Sequence, residues 1–141
     1  MQKIYLIDTC VWRDYFEERI SKIGNRLGDH ASKLLLDILS KNDKVIYSDS
    51  LIWELKKDYT QDEITSMFSF LLAVGKIEKI EITKEEISQA KKLGDERDLP
   101  LVDCLNALQA RNHDAILISQ DKDFEKLLDI CEFKRPQDII D

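Results

Sequence analysis

The chain has 141 residues, 43% of them hydrophobic and 35% charged, and a formal net charge of −7 from 21 basic and 28 acidic side chains. That length suits one domain, residues 1–141, with a real core. The acidic balance argues against a non-specific nucleic-acid binder that works through a basic surface, though not against an enzyme that meets nucleic acid through metal ions.

No apolar run is long enough to span a bilayer, and the N-terminal residues lack the basic and apolar regions of a signal peptide. A cytoplasmic location with no membrane partner is therefore expected. Cys10, Cys104 and Cys131 are widely spaced, and with His30 and His113 standing alone they form no zinc pattern. They read as buried thiols in a reducing compartment. A Cys104 nucleophile would need a His to activate it, and none is near in sequence.

Taken in order, Lys3–Ile7 reads as a short strand, with the nearly continuous apolar run of a parallel sheet covered on both faces. Val11, Trp12, Tyr15 and Phe16 then follow helical spacing, and the stretch from Glu17 to Gly28 reads as a turn. Asp29 is the expected N-cap of a helix whose Ala31, Leu34, Leu35, Ile38 and Leu39 fall on one face. Lys44–Tyr47 is a second strand, Ser48-Asp49-Ser50 is cap material, and Leu51–Lys57 is helical. Ile64, Met67, Phe68, Leu71 and Leu72 mark the next helix, closed by Gly75.

Ile80–Ile82 is the expected third strand. Thr83 and Glu86 have capping-box spacing for a helix running to about Arg97. Pro100 suits the first turn of a further helix carrying Asp103. Ala115–Ser119 is a fourth strand, Asp121-Lys122-Asp123 leads into a helix with Phe124, Leu127 and Leu128, Ile130–Phe133 is a last strand, and Pro136 opens a polar tail. Alternating strands and helices specify an α/β fold, a parallel sheet with helices on both faces.

In such sheets function gathers at the carboxyl ends of the strands. Asp8 follows the first strand directly, Asp121 and Asp123 follow the fourth, Glu54 lies just after the second, and Asp103 opens the helix before the fourth. Singly, each has an ordinary structural role: a helix cap for Asp8 and for one of Asp121 and Asp123, a solvated charge for Glu54, a first-turn charge favoured by the helix dipole for Asp103. Together at one sheet edge they suit a hard divalent cation, which prefers carboxylate oxygen and resolves their mutual repulsion.

Four segments carry a resemblance to the PIN domain, a family of metal-dependent nucleases. They are Tyr5-Leu6-Ile7-Asp8-Thr9, Ser50-Leu51-Ile52-Trp53-Glu54-Leu55, Leu99-Pro100-Leu101-Val102-Asp103 and Ile116-Leu117-Ile118-Ser119-Gln120-Asp121-Lys122-Asp123-Phe124. The resemblance covers nearly the whole chain and implies a three-layer α/β/α sandwich with a five-stranded parallel sheet in the order 3-2-1-4-5. It implies that Asp8, Glu54, Asp103 and Asp121 form the acidic quartet around Mg2+ or Mn2+, with Asp123 auxiliary and Thr9, Ser119 and Asn106 supporting. Cys10 and Trp12 depart from the family pattern after Asp8-Thr9, and the acids are untouched.

The expected activity is hydrolysis of RNA phosphodiester bonds, an endonucleolytic cut leaving a 5′-phosphate. Arg13, Lys56, Lys57 and Lys122 are the nearest basic candidates for phosphate contacts, against the alternative that they are solvated surface charges. The size resembles small prokaryotic VapC-type toxins, which implies a homodimer and an antitoxin protein as partners. Trp12 and Trp53 are expected in the core, with base stacking in a single-stranded substrate as the alternative. Two rivals differ in class. A non-catalytic PIN scaffold binding RNA or protein would have no need of mutually repelling acids. A phosphoacceptor domain of receiver type would need an adjacent acid pair after the first strand, which Ile4–Ile7 lacks.

Overall fold

Side-chain alternation along the central strands splits the core in two. In β1 (Ile4–Ile7), Tyr5 and Ile7 join Val45 and Ile118 in one apolar cluster, while Leu6 joins Ile46 and Leu117 in another. A strand that buries both faces needs the continuous apolar run read above. The structure, a computed structural model, describes residues 2–21 and 26–139.

The elements run β1, α1 (Thr9–Ser21), α2 (Arg26–Ser40), β2 (Lys44–Tyr47), α3 (Asp49–Leu55), α4 (Gln61–Ala73), β3 (Ile77–Lys79), α5 (Lys84–Arg97), α6 (Leu101–Asn112), β4 (Ile116–Ile118) and β5 (Phe133–Lys134). All pairings are parallel and the five-stranded sheet has the order β3-β2-β1-β4-β5, as the resemblance implied. Residues of α1, α2, α3 and α4 build the cluster on one face, and residues of α5 and α6 that on the other.

Several local expectations are corrected. Helix α1 continues through Glu17 to Ser21. Residues 22–25, within the expected turn, lie outside the described residues. Helix α2 begins at Arg26, so Asp29 sits inside its first turn instead of capping it. Helix α3 starts earlier than expected, with Ser48 as N-cap and Asp49 and Ser50 already helical, and ends at Leu55 with Lys56 as C-cap, short of the expected Lys57. Strand β3 is Ile77–Lys79, not Ile80–Ile82: the pairing strand is polar because it is an edge, and Ile80 turns under α5 into the second cluster. Likewise β5 is Phe133–Lys134, and Cys131 before it packs into the core. Pro100 occupies the cap position just before α6. The segment after Asp121 is a 3-10 helix, Lys122–Leu127. The tail is not merely polar: Pro136 is buried in a 3-10 turn, Pro136–Asp138, beside α2.

One turn decides where Asp103 stands. Helix α5 ends on Asp98 in the left-handed region (φ 55°), and the Asp98 and Leu99 N–H groups both donate to the Gly94 carbonyl. A Cβ at Gly94 would lie 2.8 Å from the Leu99 carbonyl oxygen, so this tight return requires glycine. Helix α6 then runs back with Cys104 through Ala110 all buried. The alanines Ala107 and Ala110 keep it close to its neighbours, and Asp103 is left at its exposed start beside the strand ends.

Candidate metal centre

The parallel register sets Ile7 opposite Ile118, so Asp8 and Ser119 emerge together at the carboxyl ends of β1 and β4. The Asp8 N–H extends that ladder, donating to the Ile118 carbonyl at 2.8 Å. Asp8 does start α1 with its backbone carbonyl, which accepts from Val11 and Trp12. Its carboxylate does something else. The buried Ser119 hydroxyl donates to Asp8 Oδ2 at 2.8 Å, and the Cys10 thiol lies 3.5 Å from the same oxygen.

Ser119 is a junction. Its Oγ accepts the Asp121 N–H at 3.0 Å and lies 3.3 Å from Cys10 Sγ, which in turn accepts the Gln120 N–H at 3.5 Å. Asp121 caps the 3-10 helix by accepting the Asp123 N–H at 2.9 Å, so it has the capping role expected for one of that pair. On the opposite wall the Thr9 hydroxyl donates to Glu54 Oε1 at 2.9 Å, tying α1 to α3.

Burial raises the Asp8 carboxyl above its ordinary range, against the opposing donors Ser119, Thr9 N–H and Cys10, and Glu54 raises it further. Among the described residues Asp103 has no such donors. Burial first, then the charges of Asp8, Asp121, Glu54 and Asp123, push its carboxyl up to about 7. Each expected acid therefore contributes to one electrostatic field centred on Asp103. Among the described residues no group of three or more acids, histidines or cysteines stands close enough together to hold a metal ion. The donors are all carboxylate oxygens, which matches a hard divalent cation.

Other candidates fall differently. Arg13 is committed elsewhere: it pairs with Asp58, donates to the Glu54 carbonyl and lies over the Tyr59 ring. Lys56, Lys57 and Lys122 are exposed, and among the described residues they form no ion pair within 4.0 Å. Lys122 lines a shallow cleft with Lys134 and Arg135 beside the tail. Asn106 is buried and lines a small cavity with Ser48, Ser50 and Tyr47 between α6 and α3. Trp12 is core, 1% exposed, with its ring 4.8 Å from Phe68, whereas Trp53 is 60% exposed, against expectation. Two residues at the site were not anticipated. Cys10 contacts it because i+2 after Asp8 faces β4. Gln137 exchanges amide hydrogen bonds with Gln120 at 2.7 and 3.1 Å, a tail contact with no local signal.

Several solved structures share this architecture. VapBC2 from Rickettsia felis, bound to a DNA fragment from its promoter, is 16% identical, covers 94% of this chain and 98% of its own, and has a TM-score of 0.67. VapC20 of Mycobacterium tuberculosis, a sarcin-ricin loop cleaving toxin, is 19% identical over 87% of this chain and 94% of its own, with a TM-score of 0.65. VapBC-1 from nontypeable Haemophilus influenzae is 17% identical over 95% and 98%, with a TM-score of 0.64. At these identities the likeness is one of fold. No curated protein matches by sequence. The PIN domain profile, however, matches residues 5–128, which spans all four acidic segments, and the chain belongs to the PIN domain family.

Proposed function

We propose that this protein is a Mg2+- or Mn2+-dependent endoribonuclease acting as the toxin of a toxin–antitoxin pair. The observation that carries the reading is Asp103, a half-buried carboxyl pushed up to about 7 by burial and by four other acids, and given no donor by the described residues. A fold has no use for that repulsion, and a bound cation does. Asp8, Asp103 and Asp121 would hold the metal, with Glu54 and Asp123 completing its surroundings. When bound, such a cation lowers the pKa of a water and offsets charge on a phosphoryl oxygen.

The chain's own part is positioning. Ser119 fixes the Asp8 carboxylate, and through the Asp121 N–H it fixes the turn carrying Asp121. Thr9 fixes Glu54. Lys56, Lys57 and Lys122 receive phosphates of the RNA backbone, while Arg13, held by Asp58, braces α3. The antitoxin reading is supported by the neighbours solved as VapBC complexes and as a toxin–antitoxin complex from Klebsiella pneumoniae. A basic antitoxin side chain entering the acidic pocket is the expected inhibitor, and a complex that leaves the pocket empty would count against that. A homodimer in the cytoplasm completes the proposal.

The test is direct. Purified protein incubated with RNA and Mn2+ should release internal fragments bearing 5′-phosphates, and EDTA should stop the reaction. Calorimetry that finds no Mn2+ binding would instead favour a non-catalytic PIN scaffold.

A further inference from the structure

We propose that Trp53, with Lys56 and Lys57, is a stacking platform for an unpaired base of the RNA next to the acidic site. This extends the nuclease reading and rests on it. Helix α3 is short, and Leu51 and Leu55, one turn apart, anchor it in the core with 7% and 0% exposure. That pairing turns Trp53 outward, 60% exposed. Its indole gives water a broad flat apolar face with a polar edge, the shape on which a base stacks.

Charge decides what covers it. Lys56 and Lys57 stand three and four residues after Trp53, as the C-cap of α3 and in the turn that follows it: the Lys56 N–H donates to the Ile52 carbonyl at 2.9 Å and the Lys57 N–H to the Glu54 carbonyl at 3.3 Å. The last turn of α3 therefore brings Lys56 under the Trp53 side of the helix, with Lys57 next to it in the chain. Lys57 is also one turn beyond Glu54, so the same helix edge joins the platform to the acidic wall. The acids nearest this face have partners elsewhere: Glu54 accepts from the Thr9 hydroxyl at 2.9 Å. Asp49 is paired with Lys79 at 2.8 Å, and Asp58 with Arg13. In a chain of net charge −7, this leaves a local cationic edge around an exposed indole. Stacking on an aromatic with flanking cations for the backbone is how single-stranded nucleic acid is gripped without sequence readout. An apolar partner helix would not call for two lysines that have no ion pair among the described residues.

The experiment uses the full chain. Trp12 is buried, so a change in tryptophan emission from the surface reports Trp53. Single-stranded RNA decamers of adenine or uracil are titrated into the Asp103→Asn protein while emission is followed, and KM and kcat for cleavage are measured with Asp103 intact. The decamers should quench the Asp103→Asn protein and leave the Asp103→Asn/Trp53→Phe protein unquenched. Trp53→Ala should weaken binding roughly 5- to 160-fold, adenine being hurt more than uracil. It should raise KM with kcat nearly kept, and Trp53→Phe should restore most of the loss. Lys56→Ala/Lys57→Ala should flatten the salt dependence of binding by about 0.7 for each phosphate that is no longer neutralised. Cleavage by wild type with Trp53→Ala unchanged within twofold overturns the platform and leaves the nuclease reading intact. An RNA-independent shift in Trp53 emission with protein concentration, lost together with a dimer in Trp53→Ala, overturns it in favour of a subunit interface. Wild type that neither binds nor cleaves RNA overturns the nuclease reading and the platform with it.

Discussion

Glu86 and Asp103 are both carboxylates in the first turn of a helix, and the protein treats them oppositely. Glu86 is 4% exposed, yet its carboxyl sits below the ordinary range. Burial works to raise it, and the donors win: the Thr83 N–H at 2.9 Å, Asn112 at 2.9 Å and Gln109 at 3.4 Å. Asp103 is more exposed, has no donor among the described residues, and nothing opposes its burial: burial first, then the charges of four acids, push its carboxyl up to about 7. The first acid is satisfied by its own chain and closes α5 onto α6. The second is given no donor by the described residues, and the charges around it raise its carboxyl as burial does. Burial alone does not separate a structural acid from a functional one; the sign of its surroundings does.

The largest effects should separate the two by readout. Asp103→Asn or Asp8→Asn should lower RNA cleavage by at least about 100-fold, since loss of a supporting residue around a metal already costs 10- to 100-fold. The melting temperature should hold or rise, because a repelling charge is removed. Glu86→Ala should do the reverse. It strips the capping box and strands Asn112 and Gln109, costing about 2–3 kcal/mol of stability. Cleavage per folded molecule should stay within a few-fold. Full activity in both acid variants would sink the assignment of the site.

This contrast also marks how far the sequence could be read. Thr83 and Glu86, three residues apart, announce their cap without any tertiary information, and the box is present in the structure. The central strands were equally legible, because a strand buried on both faces must be apolar throughout. Edge strands need not be: Glu78 and Lys79 pair in the sheet while looking like loop, and Ile80 looks like strand while serving the core. The strand-end position of the acids could be inferred from spacing. The commitment of Arg13 to Asp58 could not, because the partners are 45 residues apart. The exposure of Trp53 was in principle visible in the period that sends Leu51 and Leu55 inward.

A middle-sized effect tests whether a metal relieves the repulsion at Asp103. Saturating Mn2+ should stabilise wild type by about 2.7 kcal/mol at a concentration 100 times its dissociation constant, from mass action on the folded state alone. The shift should persist in Glu86→Gln, which starts from a lower melting temperature, and vanish in Asp103→Asn. Equal Mn2+ stabilisation in wild type and Asp103→Asn would place the cation elsewhere.

The smallest effect is a slope, and its sign is the sharpest discriminator. In EDTA, folded Asp103 keeps its proton up to about pH 7, whereas the unfolded chain releases it near 3.8. Between those values the folded state binds more protons, so Asp103 makes stability fall as pH rises. Glu86 does the opposite. Its folded carboxyl titrates below the unfolded value of 4.5, so its contribution is present above that pH and is lost as pH falls through the folded value. Melting temperatures from pH 3 to 8 should therefore decline less steeply toward neutral pH in Asp103→Asn than in wild type. Glu86→Gln should instead lose less stability than wild type on acidification below about pH 4.5. Mn2+ should erase the first difference and leave the second, since a cation at the strand ends supplies the charge that Asp103 lacks and has nothing to add beside Glu86. If Asp103→Asn and wild type share one pH profile in EDTA, the acids around Asp103 do not act on it as the geometry requires.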